Sequence, residues 1–147
     1  MTSVPPSSVP AMHHPWRALR DLTDWTLLWM RLPEGTWGET DFRAKTITLT
    51  LGMNQAERRC TIAHEIEHVR RGMPPVGMEV WEEELVDRNV ARLLLPGIEA
   101  IGDALAWADW NKFVAAEELW VDELILEARL KYLHPSEKGY LRKRFAG

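Results

Sequence analysis

The segment "KTITLTL", residues 45 to 51, alternates polar and apolar positions without a break. A period of two puts Ile47, Leu49 and Leu51 on one face and Thr46, Thr48 and Thr50 on the other, which predicts a half-buried strand with a polar outer face. If that strand lies at a sheet edge, it can align an extended substrate as an added strand. "WTLLWMRL", 25 to 32, is a denser aromatic and aliphatic run and reads as another strand. Pro33, Gly35 and Gly38 then mark turns. Beyond residue 54 the pattern becomes helical. Asn54 followed by Glu57 has the spacing of a capping box, and Gly72 with Pro74 and Pro75 ends the segment, so a helix is predicted over 55–71. Ile62, Ala63, Ile66 and Val69 make its interior apolar enough to be buried. "EVWEEELVDRNVARLLLP", 79 to 96, predicts a second long helix that stops at Pro96-Gly97. Shorter helices are expected at about 98–107, 111–119, 122–133 and 136–146, and a helical turn at 16–22.

These elements predict an α+β chain: a small N-terminal antiparallel sheet packed on a mainly helical domain. Residues 1–15 are rich in Pro and Ser and poor in apolar content, which predicts a disordered tail. His13 and His14 fall in that tail and are expected to be surface residues. The expected divisions are the tail, a core over 16–97 and a helical C-terminal segment over 98–147 packed on it. At 147 residues the chain is long enough for one domain that buries a sizeable core. Its eight tryptophans predict a core filled with bulky aromatics. The net charge of −4 gives no whole-chain signal for nucleic acid. One basic cluster, Lys138, Arg142, Lys143 and Arg144, reads as a solvated helix face suited to a helix C-terminus. A single cysteine, Cys60, cannot form an intramolecular disulfide, which fits a reducing compartment. The N-terminus lacks a cationic start and an apolar core, so no secretory signal is expected. No apolar run approaches membrane-spanning length. A cytoplasmic, non-membrane protein is the expectation.

The chemistry concentrates in "CTIAHEIEHVRRG", 60 to 72. His64 and His68 are four residues apart in the predicted helix, so both imidazoles project from one face and can reach one ion. Glu65, one residue after the first histidine, points slightly aside. It misses the ion but can reach a water that the ion polarises, and so can act as general base. The bland alternative is two surface histidines in local ion pairs with Glu65 and Glu67. A catalytic zinc needs a third protein ligand from another element. Cys60 cannot supply it, because it lies about 12 Å from His68 along the axis at 1.5 Å per residue. It reads instead as a small buried residue. Glu82, Glu83 and Glu84 on the next helix are the natural source. Glu83 is favoured because Asp87 follows one turn later on the same face, where it can hydrogen-bond the free nitrogen of a ligand histidine.

"ERRCTIAHEIEHVRRG" and "EELVDRNVARLLLP" together resemble the two helices of the ImmA/IrrE metallopeptidases of bacteria and phages, and the likeness extends over about residues 16–145. The family's usual Phe-Ala pair in the second helix is Val90-Ala91 here. The resemblance implies a zincin-like core and a zinc-dependent endopeptidase that cleaves a transcriptional repressor or similar regulator. It also implies Zn2+ on His64, His68 and Glu83, with Asp87 supporting the site. Tyr132, His134 and Tyr140 are candidate donors to the oxyanion that peptide hydrolysis develops. "FVAAEELWVDELILEARLKYL", 113 to 133, has the cadence of the helix-turn-helix-like segment the family often carries. Its would-be recognition helix holds Asp122, Glu123 and Glu127 against Arg129 and Lys131, which is wrong for neutralising phosphates. A DNA partner is therefore not expected, and the segment reads as scaffold or protein-docking surface. The rival functions are a regulatory module whose zinc only braces the fold, and a DNA-binding protein using residues 113–144.

Overall fold

A computed structural model describes residues 13–146. The chain is α+β, with seven helices and three strands among the described residues. Helix α1 (Pro15–Arg20) opens on a proline, whose fixed φ and missing N–H suit a first helical position. Strand β1 (Thr26–Met30) follows, then β2 (Gly38–Asp41) and β3 (Thr46–Thr50). The sheet order is β1-β3-β2. β3 runs parallel to β1 and antiparallel to β2, so the sheet is mixed rather than antiparallel as expected. Asp41 explains the arrangement. Its side chain accepts from the N–H of Arg43 and of Ala44, each at 3.0 Å, and Lys45 turns at φ 54°, so the chain reverses tightly after β2. β3 thereby returns into the gap beside β1.

Strand 46–50 is thus central, not an edge, and its alternation is only partly expressed. Ile47 and Leu49 are fully buried, but Thr48 is buried too and Leu51 lies past the strand, exposed. Flanking strands on both sides cover Thr48, which is why a polar residue disappears from solvent there.

Helix α2 (Gln55–Arg71) begins at the capping box: Asn54 Oδ1 accepts from Glu57 N–H at 2.8 Å, and Glu57 Oε1 accepts from Asn54 N–H at 2.9 Å. Gly72 ends it at φ 83°, a conformation open to glycine. α3 (Glu79–Leu94) and α4 (Ile98–Trp107) follow, then α5 (Lys112–Glu118), α6 (Glu123–Lys131) and α7 (Pro135–Arg144). Asn111 and Asp122 cap α5 and α6 through their side chains at 3.1 and 2.8 Å.

α2 lies between two cores. Ile62 and Ile66 join Ala18, Ile47 and Leu49 beneath the sheet. Cys60 and Ala63 face the other way, into a larger cluster with Val86, Val90, Leu94, Ile101, Leu105 and Leu126 that runs from α3 to α7. Burying each such aliphatic side chain contributes about 1.5–3 kcal/mol. The tryptophans are not the core. Seven of the eight, Trp16, Trp29, Trp37, Trp81, Trp107, Trp110 and Trp120, are exposed, and Trp25 is only half-buried. The helices meet instead through small residues, Ala63, Ala91, Ala104, Ala115 and Ala116, and so close an approach leaves no room for indoles.

At the N-terminus, residues 1–12 of the expected tail lie outside the described residues. Residues 13–15 are ordered: Pro15 is buried, and the His13 carbonyl accepts from Arg59 Nη2 at 3.5 Å. His13 is therefore docked on α2, not a free tail residue, while His14 is the exposed N-cap of α1.

Candidate metal centre

The middle of α2 carries His64, Glu65 and His68, and the first turns of α3 carry Glu83 and Asp87. Because α2 and α3 pack through Ala63, Val86 and Val90, these side chains meet at the rim of the contact. His64 Nε2 lies 3.0 Å from Glu83 Oε2, and His68 Nε2 lies 2.9 Å from Glu83 Oε1. The two Nε2 atoms are 3.2 Å apart. His64 Nδ1 is 3.0 Å from Asp87 Oδ1. That bond assigns the Nδ1 proton and leaves the Nε2 lone pair for the cluster.

Two imidazole nitrogens and a carboxylate converge, so positive charge must sit among them. A proton on His64 can supply it. Burial opposes that charge, but the hydrogen bonds to Asp87 and Glu83 outweigh it and push the His64 pKa up to about 10. The hydrogen bond from His64, aided by the charges of both histidines, holds Glu83 below the usual carboxylate range against the opposing effect of burial. A metal ion satisfies the same three groups at once. His64, His68 and Glu83 each offer a ligand atom, and these atoms lie within 4.8 Å of one another. The donor chemistry therefore fits a divalent cation.

The other two acidic candidates have different roles. Glu82 is buried and held by Arg71, with Arg71 Nε at 2.6 Å and Nη2 at 3.0 Å. Glu84 is exposed and outside the converging group. A helix turns 100° per residue, so among three consecutive glutamates one faces the histidines.

Glu65 is only 5% exposed. It sits under β2, where the Thr40 hydroxyl donates to its Oε1 at 2.9 Å. Burial raises its pKa, with His64, the Thr40 hydrogen bond and His68 pulling the other way. Gly38 makes the approach possible. A Cβ there would stand 2.8 Å from Thr61 Cγ2 and 3.0 Å from Glu65 Oε2. Neither Thr40 nor Gly38 stands out in the sequence. "GETD" has weak strand propensity, and Gly38 reads as a turn; the only available signal is a small residue at every second position.

Two cavities meet at the centre and share Gly38, His64, Glu65 and Glu83. One, of 620 Å³, extends past Thr40, Asp41 and Arg43 toward Met73 and Pro74. The other, of 470 Å³, extends between Trp37 and the start of α6. Together they form a groove that passes the centre and runs along β2, the sheet edge.

The expected oxyanion donors are elsewhere. Tyr132 ends α6 with the Arg88 guanidinium 5.0 Å over its ring. His134 starts α7, its N–H donating to Glu137 Oε1 at 3.0 Å. Tyr140 accepts from Arg144 Nη1 at 3.5 Å. None of the three lines either cavity. Tyr132 and His134 belong to the α6–α7 junction, held to α3 through Arg92, and Tyr140 lies along α7 against Gly102 of α4. Arg129, counted above as a counter-charge on α6, is buried against Glu137 and the Leu95 carbonyl, so it is not available to a phosphate. Cys60 is buried as expected, its thiol pushed up to about 12 chiefly by burial and then by Asp122. No helix is long and apolar enough to cross a membrane among the described residues.

Comparison with protein-family models, with the curated proteins and with the solved structures returns no match.

Proposed function

We propose that the chain is a zinc-dependent endopeptidase of zincin type, similar to the ImmA/IrrE metallopeptidases, acting in the cytoplasm on a regulatory protein such as a transcriptional repressor. The observation that carries this reading is the convergence of His64, His68 and Glu83 from two helices, with Glu65 buried beside them where two cavities meet. Two imidazoles and a carboxylate are a donor set that zinc takes at catalytic centres. When bound there, zinc supplies Lewis-acid polarisation and lowers the pKa of water.

The chain's own residues do the rest. Asp87 fixes the His64 ring and its tautomer. Thr40 donates to one oxygen of Glu65, leaving the other free to face the groove. That carboxylate takes the proton of the attacking water and passes it to the leaving amine. A cavity on either side of the centre leaves room for chain on both sides of the scissile bond, which favours endopeptidase action. β2, with its outer edge unpaired among the described residues, can align a substrate strand by backbone hydrogen bonds.

The test is co-expression with the product of a neighbouring repressor gene, watching for a zinc-dependent cut. Glu65→Gln should abolish the cut while zinc content stays the same. Hydrolysis that survives this substitution with metal retained defeats the assignment.

A further inference from the structure

The 470 Å³ arm of the groove carries information about which substrates fit. One wall is the loop before β2, with Trp37; the other is the first turn of α6, with Leu124 and Ile125. Trp37 is 37% exposed and Leu124 is 70% exposed. Exposed apolar side chains on opposite walls of one cavity leave transferable surface between them. The arm is continuous with the metal centre, because His64, Glu65 and Glu83 line both. An extended chain paired along β2 therefore enters this arm within a residue or two of the bond beside Glu65, at about 3.3 Å per residue. The charged part of the lining is mainly acidic: Glu65, Glu83, Asp87 and Asp122 are present, His64 is already paired with Glu83 and Asp87, and no lysine or arginine lines the arm.

We infer that Trp37 and Leu124 are specificity-determining residues, and that this arm selects a substrate segment with a bulky apolar side chain next to the scissile bond while rejecting an acidic one. The inference rests on the metallopeptidase reading. Filling the arm with a leucine or phenylalanine side chain should improve binding roughly ten- to hundredfold over glycine. An acidic side chain gains nothing, since it loses its hydration beside four carboxylates with no lysine or arginine to pair with.

The test uses zinc-loaded full-length protein and two series of peptide hydroxamates, one extending to each side of the hydroxamate. Each series carries Gly, Leu, Phe or Asp nearest the metal-binding group, and dissociation constants are read by calorimetry. In one series, the Leu and Phe members should bind roughly ten- to hundredfold more tightly than Gly, with Asp no tighter than Gly. Trp37→Ala and Leu124→Ser should each shrink that preference to below about threefold. Zinc content should not change, because neither residue is among His64, His68 and Glu83, and the preference is read as the ratio to the Gly member within each variant, so a general loss of affinity cancels. Equal binding across both series overturns the inference, as does a preference that survives both substitutions. Failure of every hydroxamate to bind overturns it together with the metal reading. Side-chain-ranked binding by a protein that hydrolyses nothing upholds the inference and removes only the hydrolytic reading.

Discussion

Gly38→Ala separates the scaffold from the chemistry. The added methyl group would lie 2.8 Å from Thr61 Cγ2, 3.0 Å from Glu65 Oε2 and 3.1 Å from Glu65 Cγ. All three separations are at or below the limit of ordinary carbon contacts, so something moves. β2 can lift from α2, or Glu65 can swing away from Thr40. Overpacking of this kind costs about 1–3 kcal/mol. Restricting the unfolded chain returns about 0.4–1 kcal/mol, so a net loss of roughly 1–2 kcal/mol is expected. On the proposed hydrolytic reading the effect on cleavage is larger, because a displacement of about 1 Å in the general base can lower the rate on the order of a hundredfold. The proposed metal ligands stand on α2 and α3 and are not among the atoms nearest a Gly38 Cβ, so zinc affinity should stay within about twofold. Urea unfolding, competition with a chromogenic chelator and peptide cleavage measure the three quantities on one preparation. A Gly38→Ala protein with native stability and native cleavage would refute the clamp of β2 on Glu65. A large loss of zinc affinity would refute the independence of the clamp from the metal ligands.

Thr40→Val keeps the shape and removes the donor to Glu65; cleavage should fall roughly tenfold at unchanged KM, with Thr40→Ser restoring most of it, as steady-state kinetics would show. Asp87→Asn should weaken zinc binding about 10- to 100-fold in chelator competition without unfolding the protein, because the His64 ring loses its anionic partner. Glu137→Gln should cost about 3–5 kcal/mol in urea unfolding, since it strands the Arg129 guanidinium, only 2% exposed, without its charge partner. The same group sets an acid limb. The Arg129 hydrogen bond, with Arg92 and the His134 N–H in support, holds the Glu137 carboxyl well below the usual carboxylate range despite burial. Its contribution is therefore complete above the unfolded carboxylate pKa of about 4.3 and is lost as pH falls from there toward the folded value. The Glu137→Gln protein should show a correspondingly flatter decline when stability is measured from pH 6 to pH 2.

The sequence by itself determined the features whose causes are local. The capping box at Asn54 and Glu57, the stop at Gly72 and the one-face spacing of His64 and His68 involve residues within a few turns of one helix, and backbone geometry dictates their relation. The spacing of Glu83 and Asp87 is equally local, and the structure places both against His64. What pairs with a strand is not local. The mixed sheet depended on a weak strand at 38–41 and on an Asp41 turn that sends β3 between its neighbours, so strand 46–50 lies at the centre and the condition for its aligning a substrate is not met. The tryptophans misled for a related reason: composition counts bulky residues, but the distance between helices decides whether they fit inside, and here alanines set that distance. Thr40, Gly38, Trp37 and Leu124 reach the cavities only because β2 packs on α2 while α6 packs on α3 and brings its N-cap Asp122 to Cys60. Hydrogen bonds along one helix are written into residue spacing; contacts between elements depend on packing distances that no spacing encodes.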